Sequence, residues 1–77
     1  MRVLLREKDD NTLTVFTASK VVYYPTVQRL RLLPVVSAAQ SMFVDNVSPD
    51  DAERIIRTLY NDGKVDLAEK FTARRIK

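Results

Sequence analysis

Hydrophobic and polar residues alternate from Arg2 to Lys8, where Val3 and Leu5 are set between Arg2, Leu4 and Arg6. That period of two predicts a strand. Asp9-Asp10-Asn11 follows as a turn cluster, since all three side chains bond nearby backbone and tolerate unusual φ. Thr12 to Ala18 (T-L-T-V-F-T-A) is rich in β-branched and aromatic residues and predicts the second strand of a hairpin. Lys20 to Tyr24 (K-V-V-Y-Y) reads as a third strand, stopped by Pro25, which has no amide proton for a ladder. Val27 to Leu33 alternates again and ends at Pro34, a fourth. Residues 35–47 fit two patterns: a strand at 41–44 around Met42-Phe43-Val44, which we favour, or a short helix through Val36, Ala39 and Phe43.

The clearest signal comes next. Ser48 is an N-cap candidate, Pro49 stands at the first helical position, and Asp50 and Asp51 put negative charge where the helix dipole favours it. Ala52, Ile55, Ile56, Leu59 and Tyr60 draw one apolar stripe. Asp50 with Arg54 and Glu53 with Arg57 are spaced as acid-first i,i+4 pairs. Gly63 supplies the left-handed stop. The spacing predicts a helix over 49–62. Beyond it, Asp66 is placed to cap a second short helix in which Leu67 and Phe71 share a face, and residues 72–77 read as a frayed basic tail.

Strands first and helices last predict an α+β domain: an antiparallel meander of four to five strands, with one long and one short C-terminal helix packed on one face. On this reading Val3, Leu5, Leu13, Val15, Val21 and Tyr23 form the face beneath the helix. Leu4, Phe16, Val22, Tyr24, Leu30 and Leu32 fall on the opposite face. That second face is unusually apolar for a sheet wetted on one side. Either the sheet curls around it, with residues 35–47 as cover, or another molecule covers it.

Composition narrows the chemistry. With 77 residues there is room for one domain, which at this size buries roughly 60–65% of its unfolded surface. Histidine and cysteine are both absent. The usual general base near neutral pH is therefore missing, together with thiolate chemistry, disulfides and the commonest metal ligands. A serine–lysine dyad around Ser37 or Ser41 has no lysine positioned for it. Asp9-Asp10 and Asp50-Asp51 are explained by a turn and a helix start. A single glycine cannot build a phosphate-cradling loop. Asn46-Val47-Ser48 matches a glycosylation sequon by chance. We expect no catalytic residue, no cofactor, no metal site and no small-molecule substrate.

No apolar run approaches the ~20 residues of a membrane span, and charge breaks the N-terminus too early for a signal peptide. With cysteine absent, the expected location is cytoplasmic. Residues 50–67 resemble the terminal helix of many small bacterial and phage proteins, a likeness that carries no chemistry.

Charge is distributed in blocks. Residues 1–44 carry six basic and three acidic groups, 45–69 carry three and seven, and 70–77 carry four and none, for a net charge of +3. Two functions follow as expectations. The first is a protein-interaction or assembly module, bacterial or phage-borne, that self-associates or binds a protein partner through Phe16, Tyr24, Leu30 and Leu32. The alternative is a small nucleic-acid-binding or regulatory protein that uses Arg29, Arg31, Arg74 and Arg75, because basic groups among aromatics grip phosphates and stack bases.

Overall fold

The first hairpin forms where the alternation predicts it. Strand β1 (Arg2–Glu7) pairs antiparallel with β2 (Leu13–Tyr24), which sets Val3 opposite Phe16 and Leu5 opposite Thr14. Asp10 holds the turn: its Oδ1 accepts from the Thr12 amide at 3.2 Å and from the Thr12 hydroxyl at 2.8 Å. Asn11 takes a left-handed φ of 57°, which its short polar side chain tolerates. The structure, a computed structural model, describes residues 1–8, 10–67 and 71–75. Asp9 of the expected turn lies outside them.

The expected second and third strands are one element. β2 runs for 12 residues, and a register shift between Ala18 and Lys20 interrupts its pairing. An extra residue in a strand reverses the side to which every later side chain points. Phe16 and Ala18 face inward before the shift, and Val21 and Tyr23 face inward after it. This corrects the expected faces. Leu13 and Val15 are 54% and 59% exposed, whereas Phe16 packs against the core.

β3 (Arg29–Pro34) returns antiparallel to β2, with Leu30 opposite Tyr23 and Leu32 opposite Val21. β4 (Met42–Val44) adds antiparallel to β3, in line with the favoured strand at 41–44. Helix α1 spans Pro49–Asp62 with the predicted caps. The Ser48 hydroxyl accepts from the Asp51 amide at 3.2 Å, and Gly63 at φ 76° donates its amide to the Leu59 carbonyl. Ala52, Ile55 and Leu59 are buried, but Tyr60 is exposed and does not belong to the stripe. Arg57 pairs with Glu53 as expected. Arg54 pairs with Asp51, at i,i+3, and not with Asp50. The Tyr23 hydroxyl donates to the Val47 carbonyl at 2.6 Å and so ties the helix approach to β2.

After the helix the expectation fails. Residues 64–66 form β5 (Lys64–Asp66), and the expected frayed tail is instead β6 (Thr72–Arg75), with Ile76 and Lys77 outside the described residues; the expected second short helix falls on 68–70, which also lie outside them. Both strands pair with β1 in parallel, so the sheet is mixed and the meander is not purely antiparallel. Asp66 ends β5, and the Phe71 amide donates to the Leu67 carbonyl at 3.0 Å. Strands of three and four residues have no period of their own to read. They form because β1 offers the edge that β2 leaves free.

The strand order is β2-β3-β4-β6-β1-β5, and β1 also pairs with β2. Five strands therefore close into a ring, with β5 attached outside it. Closure gives the inward leucines and valines partners within the chain: Val3, Leu5, Leu30, Leu32, Met42 and Val44 meet Ile55 and Leu59 of α1. Burying each Leu, Ile or Val side chain contributes roughly 1.5–3 kcal/mol. Among the described residues, no helix is long and apolar enough to cross a membrane.

Candidate functional site

Alternation along β3 decides which of the expected contact residues are reachable. Leu30 and Leu32 are both 0% exposed and belong to the core. They are not surface contacts, because the register sets them opposite Tyr23 and Val21, on the inward side of the sheet. Phe16 packs on the same core, and Tyr24 alone of that group is exposed, at 39%. Arg29 and Arg31 necessarily take the other side of β3 and point outward.

There they meet residues from two more strands. Register aligns Val22, Arg31, Phe43 and Arg74 in one row across β2, β3, β4 and β6. One step along, Tyr24 stands opposite Arg29. The guanidinium carbons of Arg29, Arg31 and Arg74 lie 4.9, 6.0 and 5.6 Å from the centroid of the Phe43 ring. All three therefore fall within about 12 Å of one another, each in cation–π range of one ring.

Asp45, just past the end of β4, joins two of them. Its Oδ1 accepts from Arg29 Nε at 2.7 Å, and its Oδ2 lies 3.1 Å from Arg74 Nε. The second contact is an ion pair without hydrogen-bond alignment, so Arg74 Nε remains buried without a hydrogen-bond acceptor. Arg31 Nε is in the same condition, and its Nη2 only reaches Ser41 Oγ at 3.4 Å. Buried donors left without acceptors are uncommon and call for a reason.

The expected nucleic-acid contacts are Arg29, Arg31, Arg74 and Arg75. The first three come together. Arg75 occupies the register position opposite Met42, and its side chain lies outside the description. Phe43 and Asp45 were missed as site residues, although strand alternation through M-F-V-D puts both opposite the inward Met42 and Val44.

Two hollows lie elsewhere. One of about 240 Å³ is lined by Arg2, Val3, Leu4, Val15, Lys64 and Val65 on the β1–β2–β5 side. The other, of about 530 Å³, lies between β2 and the loop at 38–40 and contains Glu7, which accepts from the Thr14 hydroxyl at 3.3 Å. Among the described residues no group of three or more potential metal ligands assembles. The arginine face is the place where like chemistry from separate strands converges, and what it can do is bind oxyanions. Guanidinium groups present planar forks of donors to carboxylate or phosphate oxygens. Comparisons with protein families, with curated proteins and with solved structures find no match, which leaves this geometry to carry a functional reading.

Proposed function

We propose that the chain is a small nucleic-acid-binding module that grips the phosphate backbone with the outer face of β3, β4 and β6. The observation that carries this is the convergence of Arg29, Arg31 and Arg74 on Phe43 with one carboxylate, Asp45, paired among them. The cluster has an excess of positive charge, and the whole chain is at +3. Tyr24, exposed beside Arg29, offers a ring on which a base can stack. The test is fluorescence anisotropy with labelled single- and double-stranded oligonucleotides across a salt series. Affinity should fall steeply with salt, and Arg31→Ala and Arg74→Ala should each weaken binding and flatten the slope by about one phosphate contact. Absence of binding at ~10 µM protein and low salt would defeat the reading, since even non-specific binders register there.

A second reading, a protein-interaction module, is favoured by a different observation. Leu13 and Val15 are more than half exposed on the outside of β2, and Val15 stands opposite Leu4. Light scattering of wild type and Val15→Asp tests it: a concentration-dependent oligomer lost in the variant would favour this face over the arginines.

A further inference from the structure

We infer that Asp45 occupies the seat of a ligand phosphate, so that the ligand-free chain holds its own competitor in the site. This rests on the arginine-face reading and specifies how that face takes its ligand.

Three observations carry it. First, the two oxygens of one carboxylate serve two arginines from different strands, Oδ1 toward Arg29 and Oδ2 toward Arg74. A phosphate group presents a similar pair of oxygens along one edge, with further acceptors to spare. Second, the seat is underfilled. Arg31 Nε and Arg74 Nε are buried with no hydrogen-bond acceptor, and Asp45, whose Oδ2 stands 3.1 Å from Arg74 Nε without aligning to it, does not supply them. A phosphate, with more oxygens and more charge, can. Third, Asp45 is weakly held. It lies beyond the last ladder residue of β4, its side chain is 35% exposed, and the next residue, Asn46, turns the chain at φ 60°. Ion pairs this exposed contribute little to stability, so the incoming phosphate displaces Asp45 at small cost.

Asp45 is then a brake on affinity, and its sign can be measured. The probes are a fluorescein-labelled oligothymidine and inorganic tripolyphosphate, and the variants are Asp45→Asn and Glu53→Gln in the full chain. Glu53→Gln makes the same change in net charge and also releases an arginine, Arg57, but on α1. At about 50 mM salt each added phosphate contact is worth roughly tenfold in affinity. Asp45→Asn should therefore tighten oligothymidine binding about tenfold and steepen its salt dependence, while Glu53→Gln shifts it less than about twofold. Asp45→Asn binding no tighter than Glu53→Gln, or weaker than wild type, would overturn the inference and make Asp45 a positioning residue for Arg29 and Arg74. Tighter binding of tripolyphosphate by Asp45→Asn with no oligothymidine bound would keep the phosphate seat and reject nucleic acid as its source. No binding of either probe by any variant would reject both. Circular dichroism confirms that Asp45→Asn is folded; should it melt early, Asp45→Ser, which removes the charge with a smaller side chain, takes its place.

Discussion

The ring has two outer faces of opposite character. Outside β3, β4 and β6, Arg29, Arg31 and Arg74 surround one aromatic ring, and Asp45 joins Arg29 to Arg74. Outside β1 and β2, Leu13 and Val15 are exposed, and Arg2 stands opposite Lys64 with neither cation partnered among the described residues. The first face is organised and the second is merely exposed. Single exposed apolar residues are ordinary on soluble proteins. Side chains that arrive from three strands at one place are not explained by the needs of any one strand. The difference teaches that convergence, more than exposure or charge count, marks where this molecule has something to hold.

The strongest way to break this picture is to exchange the two sides of β3. Leu32→Glu buries a charge among apolar residues with no partner, a cost of several kcal/mol that matches the total stability of so small a domain. We expect it to be unfolded by circular dichroism, whereas Arg31→Glu, one residue away, should melt within a few degrees of wild type and lose oligonucleotide binding. A folded Leu32→Glu would mean that the inner and outer sides of β3 are misassigned. Next in size is the helix. Leu59→Ala leaves a cavity in the core at a cost of ~2–5 kcal/mol, against roughly 0.5 kcal/mol or less for exposed Tyr60→Ala. Thermal melts of the pair decide whether the stripe stops at Leu59.

The same fold explains which parts of the structure could be read from the chain. Helix α1 was legible to the residue because its signals are local: a capping serine, a proline, two aspartates and a terminal glycine each act within one turn. The first hairpin was legible for the same reason. The faces of β2 were not, because the parity change at Ser19 depends on pairing with two different neighbours, β1 before it and β3 after it. β5 and β6 were hidden because their pairing with β1 links residues from opposite ends of the described chain. For the site, Arg29 and Arg31 could be placed on one face by simple alternation. Their meeting with Arg74 required β6, and so no local pattern announced it.

Smaller effects sharpen the comparison further. Arg74→Ala should weaken oligonucleotide binding by about 1.4 kcal/mol at ~50 mM salt, one phosphate contact's worth. Val15→Ser on the opposite face should leave that affinity unchanged. Substitutions at exposed positions free of caps or networks usually shift stability by no more than ±0.5 kcal/mol, and we expect Val15→Ser and Leu13→Ser to stay within that band by urea titration. If Val15→Ser weakens binding as much as Arg74→Ala, the two faces are not separate and the ligand must wrap around β1.

β6 is inserted between β4 and β1, yet it comes after both in the chain. During synthesis every partner of residues 72–75 is made before those residues are. Until they arrive, β4 and part of β1 present bare strand edges, the kind of template that recruits other chains. The closing contacts also join residues far apart in sequence, which slows the final step of folding. A nascent chain of this protein therefore passes through an open-edged stage that only its last described strand ends. Truncation at residue 71 would leave it permanently there, prone to aggregate instead of merely being less stable.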